Sequence, residues 1–394
     1  MENEPVCAAA SVRGLAGLGI ALSGLVALAV AMGIGRFAFT PVLPMMQEDA
    51  GLSVAAGGWL ASANYLGYLL GALSAVWMRV RAERAIRGGL VAIGLATLAM
   101  GLAEHFVLWV VLRALAGFMS AWVFVFASAW CLERLAPLRR PLLNGVVFAG
   151  VGAGIAAGGG LCVALMQAGA SSSQAWIALG IAALALTAVA WPAIRTRGDA
   201  PHRTVARTLR DAPRWDAESV RLVLCYGASG FSYIIPATFL PVMAKRIIQD
   251  PLVFGWSWPV FGAAALVSTL AAAALQGAIG IRRSWIAGHV VMALGIALPV
   301  LRPGIAGIML AALLVGGTFM VVTMAAMREA RDAAGPHATG LIAAMTAAFA
   351  AGQIAGPISV SVLVGREGGF SAALLCACAL LLVSAHALSH DRRR

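Results

Sequence analysis

The chain has 394 residues, of which 61% are hydrophobic and only 11% are charged, and its mean hydropathy is +0.90. Soluble globular domains carry about 25% charged residues, so this composition excludes that class and indicates many membrane-spanning helices. The formal net charge is +12. Because the basic residues fall in short segments between apolar runs, we attribute the charge to membrane topology and expect no nucleic-acid binding.

Apolar stretches that approach the roughly 20 residues needed to cross a membrane recur along the whole chain. They predict an all-α polytopic membrane protein with twelve transmembrane helices. The predicted helices cover residues 15–43, 55–78, 88–105, 107–132, 142–168, 174–194, 219–243, 255–279, 284–301, 304–327, 338–364 and 370–388. The first apolar stretch continues well past the length of a signal-peptide core, so we interpret it as the first span.

One long polar segment, from Arg195 to Asp216, divides the chain nearly in half and is rich in arginine. The sequence therefore predicts an N-terminal six-helix bundle at 1–195, a cytoplasmic basic linker at 196–217 and a C-terminal six-helix bundle at 218–394. Of the 28 basic residues, 22 lie on the linker side of the predicted spans, four on the opposite side and two within spans. The positive-inside rule then predicts a multi-pass protein of a bacterial inner membrane, with both termini cytoplasmic.

The two halves resemble each other at a constant spacing. The pairs at an offset of 197 are Gly33 with Gly230, Leu43-Pro44 with Leu240-Pro241, Gly58-Trp59 with Gly255-Trp256, and Arg36 with Tyr233. At slightly shorter offsets, Gly145 aligns with Gly340 and Gly160 with Gly356, which pairs helix 5 with helix 11. Repeats of six helices with a substrate site between them are one way in which membrane transporters are built.

The stretch from Gly33 to Pro44 is the most informative part of the sequence. It contains Arg36, and a charged side chain facing lipid costs at least about 2.5 kcal/mol. Glycines before Arg36 and prolines after it loosen the helix, which a membrane tolerates only where neighbouring helices or cavity water satisfy the backbone. We therefore predict that this stretch forms one wall of a solute pathway, with Arg36 in the last third of the helix.

Together with the run from Trp59 to Ala72, the same stretch resembles the uncharacterised YbfB/YjiJ branch of the major facilitator superfamily. The resemblance covers essentially the whole chain and implies a 6+6 helix architecture with alternating access, but no particular substrate. The superfamily pattern R-x-x-x-G of helix 4 is present from Arg113 to Gly117. The loop after helix 2 retains only Arg79-Val80-Arg81 and lacks the superfamily's aspartate, so we expect the intracellular gate to differ.

Six polar residues within the predicted spans are candidates for solute binding. They are Arg36, Asn64, Tyr68, Arg113, Tyr233 and Gln353. Two positive charges without a nearby acidic residue favour an anionic or zwitterionic solute. Alternatives stay open: Arg36 anchors the helix at the interface, Arg113 braces helices, and Asn64 and Tyr68 form interhelical hydrogen bonds.

Other polar groups support weaker hypotheses. Among the further candidates of the C-terminal half, which are Tyr226, Trp256, Trp258, His289 and Thr323, Trp256 fits an interfacial belt and a lone histidine an interior group. No Asp or Glu falls in the middle of a predicted span, so proton coupling would depend on Glu133, a histidine or the substrate's own carboxylate. We expect no cofactor and no metal, because the cysteines lack ligand spacing and the glycines from Gly150 to Gly160 form a packing face, not a nucleotide loop.

These observations predict that the protein is not an enzyme. They predict a monomeric secondary active transporter that moves a small organic solute across the lipid bilayer. They leave import, export and coupling to protons open. The alternative is a transporter-shaped sensor or scaffold without transport. It is disfavoured because only the linker and the tail from Asp391 to Arg394 offer polar sequence for a partner.

Overall fold

The computed structural model of the protein describes residues 17–77, 80–138, 140–194, 215–248, 250–275, 280–335, 338–364 and 369–390. All regular secondary structure in these ranges is helical. The predicted linker at 196–217 lies outside the described residues except for its last three positions. The division into two domains at that linker therefore stays a prediction.

The described residues form twelve long helices, which confirms the predicted fold class and the predicted number. They are α1 (Gly17–Asp49, interrupted near its middle), α2 (Val54–Trp77), α3 (Ala82–Leu102), α4 (Phe106–Leu135), α5 (Pro141–Gln167), α6 (Ser172–Ala190), α7 (Ala217–Ile247), α8 (Ser257–Ala274), α9 (Ile281–Leu301), α10 (Ile305–Ala334), α11 (Ala338–Leu363) and α12 (Gly369–Ser389). Eleven of them are long and apolar enough to cross a membrane, and α2 falls outside that set. The polar side chains of Asn64, Tyr65 and Tyr68 in the middle of α2 lower its hydropathy.

Several helices extend beyond their predicted bounds. α1 ends at Asp49 and not at residue 43, α3 begins at Ala82 and not at residue 88, and α10 ends at Ala334 and not at residue 327. Hydropathy marks only the part of a helix inside hydrocarbon, whereas backbone hydrogen bonds continue the helix into polar sequence. Arg36 consequently lies near the middle of the described α1 and not in its last third, whereas its depth in the membrane stays a prediction.

The helices run between two ends of the molecule. We call the end where α6 finishes and α7 begins the linker end, and the opposite end, where α1 finishes, the far end. Most pairs of contacting helices lie within α1–α6 or within α7–α12, but the contact of α5 with α8 between these two halves is as extensive as any. Three pairs of long helices join these two halves, namely α1 with α7, α2 with α11, and α5 with α8.

α1 and α7 meet at positions related by the internal repeat. Thr40 Oγ1 donates to Ala237 O at 2.7 Å, and Lys245 Nζ pairs with Glu48 Oε2 at 2.7 Å. Both pairs are 197 residues apart, which is the offset of the sequence repeat. Residues related by a two-fold operation contact each other only near the axis. An approximate two-fold axis therefore passes between α1 and α7.

Each half also carries an ion pair at the linker end. In the N-terminal half, Arg134 of α4 lies 3.5 Å from Glu83 of α3. In the C-terminal half, Arg282 of α9 lies 2.8 Å from Glu329 of α10 and 2.6 Å from Glu218 of α7. In the N-terminal half the acidic residue lies on α3 and the basic residue on α4, whereas in the C-terminal half the basic residue lies on α9 and the acidic residue on α10. These ion pairs connect helices within a half and not across the two halves.

The glycines of α5 pack as predicted, but on two faces. A Cβ atom at Gly154 would lie 2.4 Å from Ala29 O of α1, and one at Gly152 would lie 2.4 Å from Leu266 N of α8. A Cβ at Gly160 would meet nothing within 4 Å. Because both close contacts are with backbone atoms, α5 can approach α1 and α8 this closely only where it carries glycine.

Candidate functional site

α1 is interrupted near its middle. Residues 17–28 are α-helical, Ala29–Ile34 form a π-helix, residues 35–38 form turns, and the α-helix resumes at Phe39. Pro41 lies in the first turn of the resumed helix, where a backbone N–H has no helical partner in any case. The predicted loosening of this helix is confirmed, and it occurs before the prolines.

The interruption leaves backbone carbonyls without helical partners, and two neighbouring helices satisfy them. Arg113 of α4 donates through Nη2 to Arg36 O at 2.9 Å and through Nη1 to Gly35 O at 3.3 Å. Asn64 of α2 donates through Nδ2 to Gly35 O at 3.2 Å and to Arg113 O at 2.9 Å. Unpaired backbone groups are very costly inside a membrane, so these side chains stabilise the break.

The Arg36 side chain points into the contact between the halves. It is only 3% exposed, and its Nη2 donates to Gln353 Oε1 of α11 at 2.5 Å. Its guanidinium carbon lies 4.1 Å from the ring centre of Tyr68, 5.1 Å from that of Tyr65 and 5.3 Å from that of Phe37. Cation–π attraction to these rings stabilises a buried guanidinium.

Gln353 extends the contact to the C-terminal half. Its Nε2 donates to the hydroxyl of Tyr233 on α7, and the Tyr233 ring stacks on Phe319 of α10 with 5.5 Å between ring centres. Arg36 and Tyr233 are equivalent positions of the repeat. A single amide side chain therefore links the two equivalent positions across the approximate two-fold axis.

The site offers more hydrogen-bond donors than acceptors. Three buried donors, Arg36 Nε, Arg113 Nε and Trp258 Nε1, lack a partner, against one buried acceptor, Asn64 Oδ1. Among the described residues, no ion pair involves either arginine, and the Asp and Glu side chains lie towards the ends of helices. Arginine stays protonated in proteins, so neutral groups alone surround two permanent positive charges.

The halves are hydrogen-bonded at the level of Arg36 and towards the far end. Besides the contacts already described, these bonds are Tyr65 OH with Thr238 Oγ1 (3.1 Å), Ser62 Oγ to Ile354 O (3.1 Å), Ser361 Oγ to Ala55 O (3.0 Å) and Lys245 Nζ to Pro44 O (3.0 Å). Within the part of the chain that the structure describes, no hydrogen bond joins the halves on the linker side of Arg36. Among the described residues, the hydrogen-bonded contact between the halves is therefore at the level of Arg36 and towards the far end.

The structure brings all six predicted site residues into one cluster. Arg36, Gln353 and Tyr233 form a hydrogen-bonded chain, and Tyr68 lies under the guanidinium of Arg36. Asn64 and Arg113 bind backbone carbonyls, as the bracing alternative predicts. Contact of any of the six residues with a solute stays a prediction.

The other candidates of the C-terminal half lie in different surroundings. His289 is fully buried, and its Nε2 lies 2.8 Å from Trp285 Nε1 and 2.6 Å from Ser229 Oγ. An indole N–H can only donate, so Nε2 must accept and the imidazole is neutral. Trp256 is half-exposed at the start of α8, and Thr323 donates to the backbone of its own helix.

The sequence interpretation missed Ser120 as part of the site. Its hydroxyl lies 2.7 Å from Ala31 O, a carbonyl of the π-helix. Ser120 follows Arg113 by two helical turns, so the two share one face of α4. That spacing is the signal that could have identified it. Thr40, Ser62 and Tyr65 also went unnoticed, because small hydroxyls and tyrosines in apolar helices give no distinctive pattern.

Twelve helices in two related halves, with buried arginines where the halves meet, are the architecture of a polytopic membrane transporter. The family described as uncharacterised MFS-type transporter YbfB matches residues 28–389. The chain therefore belongs to this family of the major facilitator superfamily, as the resemblance implied. A comparison with curated proteins found no match.

Proposed function

We propose that this protein is a secondary active transporter that carries a small organic anion or zwitterion by alternating access, with Arg36 as the anion-binding group. The observation that carries the proposal is the hydrogen bond of Arg36 to Gln353 across the two halves. A guanidinium binds a carboxylate more strongly than it binds a neutral amide. A solute carboxylate is therefore the partner that this buried charge lacks.

The same hydrogen bond supports a coupling of solute binding to the opening of the far end. A carboxylate that binds Arg36 from the linker side competes with Gln353 for the Nη2 group. Release of Gln353 removes a contact between α1 and α11, and with it part of the closure of the far end. Binding then shifts the balance between the two states in proportion to its preference for one of them.

Replacement of Arg36 tests the proposal directly. Purified protein in liposomes is screened against a broad set of labelled metabolites, and Arg36→Ala is expected to abolish the flux that the wild type shows. Loss of a buried charge partner corresponds to an affinity at least about 30-fold lower. Arg36→Lys keeps the charge but loses the planar fork, so we expect affinity to fall roughly tenfold or more.

Expression level and thermal stability in detergent are the controls for correct folding. Unchanged solute affinity in folded Arg36→Ala would show that Arg36 only anchors α1. Preferential binding of a cationic solute would reverse the inferred substrate class. A sensor or scaffold without transport predicts a third result, in which the wild type binds a solute in detergent but shows no flux in liposomes.

Reporter fusions test the proposed orientation, in which the linker end is cytoplasmic. Ala50 and Ala170 both lie at the far end, so fusions after them are expected to report a periplasmic location. Fusions within 200–212 and at Arg394 are expected to report a cytoplasmic location, because the surrounding arginines retain these segments inside. A periplasmic linker would overturn the orientation and would make the far end the cytoplasmic one.

A further inference from the structure

Two partly exposed aromatic rings lie beside the Arg36–Gln353 contact, one from each half. Tyr68 follows Asn64 by four residues on α2, and Phe349 precedes Gln353 by four residues on α11. Because α2 runs towards the linker end and α11 runs away from it, both rings lie one helical turn on the linker side of the contact. A solute that reaches Arg36 from the linker end therefore passes the level of Tyr68 and Phe349.

Phe349 belongs to a continuous series of stacked rings in the C-terminal half. The ring-centre distances are 4.5 Å for Tyr226–Phe349, 5.5 Å for Phe349–Tyr233, 5.5 Å for Tyr233–Phe319, 5.6 Å for Phe319–Phe261 and 4.8 Å for Phe261–Trp258. The interplanar angles in this series do not exceed 26°. Stacking on both faces holds the Phe349 ring in one orientation and leaves only its edge for a further neighbour.

The N-terminal half has no ring at the equivalent position. Phe349 aligns with Gly154 by the same spacing that aligns Gly340 with Gly145. The packing is also equivalent, since a Cβ at Gly33 would meet the backbone of Gly154 and one at Gly230 would meet the backbone of Phe349. The aromatic side chain is therefore a feature of the C-terminal half, beyond what the shared packing of the repeat requires.

We infer that the solute is an aromatic carboxylate, with the carboxylate on Arg36 and a planar ring between Tyr68 and Phe349. This inference rests on the proposed function and specifies its substrate class. Aromatic rings prefer edge-to-face and offset-stacked neighbours, and Phe349 offers an edge to a ring that lies beside it. The unpartnered donor Arg36 Nε can bind the second carboxylate oxygen.

Three small probes separate the two parts of this inference. Benzoate and cyclohexanecarboxylate carry the same charge on rings of the same size, but only benzoate is aromatic and planar. Benzamide keeps the aromatic ring and lacks the charge. By calorimetry on the purified protein, we expect benzoate to bind roughly threefold to tenfold more tightly than cyclohexanecarboxylate, and benzamide to bind most weakly.

Variants locate the aromatic preference. In Tyr68→Leu and in Phe349→Leu, we expect the ratio of the two carboxylate affinities to fall towards one, while Arg36→Ala weakens both carboxylates. Phe126→Leu is the matched control, because Phe126 is a partly buried ring of α4 that pairs with Trp122, apart from the site. Its affinity ratio should equal that of the wild type.

The outcomes distinguish the inference from the proposed function. Equal binding of the two carboxylates, or an unchanged ratio in both leucine variants, would overturn the aromatic class and leave Arg36-dependent anion transport intact. Benzamide binding as tightly as benzoate, with no effect of Arg36→Ala, would overturn both. Failure of all three probes would overturn the aromatic class, and the metabolite screen with Arg36→Ala then decides the proposed function separately.

Discussion

The α5–α8 and α2–α11 interfaces occupy equivalent places about the approximate two-fold axis, but they are built differently. Along α5, glycines recur every seven residues, and a Cβ on any of them would approach α8 closely. The distances are 2.5 Å from Gly145 to Ala273, 2.4 Å from Gly152 to Leu266 and 2.9 Å from Gly159 to Pro259. The α2–α11 interface has one such glycine, Gly58, beside Pro357. Its hydrogen bonds come from Ser62, near the level of Arg36, and from Ser361, towards the far end.

This difference indicates which interface moves in the proposed transport cycle. A seven-residue recurrence keeps one seam of α5 against α8, and the backbone contact of Gly152 together with the short, rigid neighbours Ala273 and Pro259 leaves little room for adjustment. Interhelical hydrogen bonds in membranes contribute only about 0.6 kcal/mol each on average. The α2–α11 interface therefore separates more readily at the far end, while the α5–α8 interface holds the halves together.

Among the substitutions that compare the two interfaces, we expect the largest loss of stability at the α5–α8 interface. Gly152→Ala places a Cβ 2.4 Å from Leu266 N and 2.8 Å from Gly262 O, so the helices must separate. We expect a loss of about 1–3 kcal/mol of stability, seen as a lower melting temperature and a lower yield in detergent. Gly160→Ala on the same helix has open space and should melt at or above the wild-type temperature. Equal melting of the two variants would contradict the close packing of this interface.

At the α2–α11 interface we expect a smaller change in free energy, which alters the population of the state that is open at the far end and not the folding of the protein. Gly58→Ala places a Cβ against Ser361 Oγ and 2.8 Å from Pro357 O, a backbone atom, whereas Gly57→Ala meets only the flexible end of the Leu43 side chain. We expect Gly58→Ala to favour separation at the far end by about 1–2 kcal/mol, which is roughly 5- to 30-fold in population. The protein should stay folded, in contrast to Gly152→Ala.

Alkylation of a cysteine at the far end measures this opening. Thr238→Cys is suitable because Thr238 is fully buried and bonded to Tyr65 across the halves. The modification rate at this residue, followed by mass spectrometry, should rise in Gly58→Ala and stay at the starting value in Gly57→Ala. Equal rates in the two glycine variants would refute the assignment of α2–α11 as the interface that opens.

The smallest effect is expected for the ion pair between Glu48 and Lys245. The Glu48 side chain is 74% exposed, so solvent screens its charge and Glu48→Gln should cost at most about 1 kcal/mol. Lys245→Met should cost more, because Lys245 also donates to Pro44 O. A double-mutant cycle of melting temperatures, repeated in high salt, measures the coupling. A coupling energy between Glu48 and Lys245 that exceeds the stability loss of Gly152→Ala would show that charge, and not packing, closes the far end.

Much of the architecture follows from the sequence. The helix count depends on hydropathy, which is a local property, and the repeat offset of 197 residues is visible without coordinates. Arg36 was recognisable as part of a site because an ionised group in apolar sequence has few explanations. Ser120 and Phe349 were not, because a serine or a phenylalanine in a membrane helix is ordinary until its neighbours on other helices are known.

The sequence by itself determined that this chain is a twelve-helix membrane protein with a loosened first helix and a buried arginine, because composition, periodicity and residue type decide these properties locally. Only the tertiary structure decided which groups on other helices these polar side chains bind. It showed that Arg113 and Asn64 satisfy the carbonyls of Gly35 and Arg36, and that Gln353 joins Arg36 to Tyr233. Those contacts depend on how far apart helix axes lie and how each helix is rotated, and both follow from packing across the whole bundle.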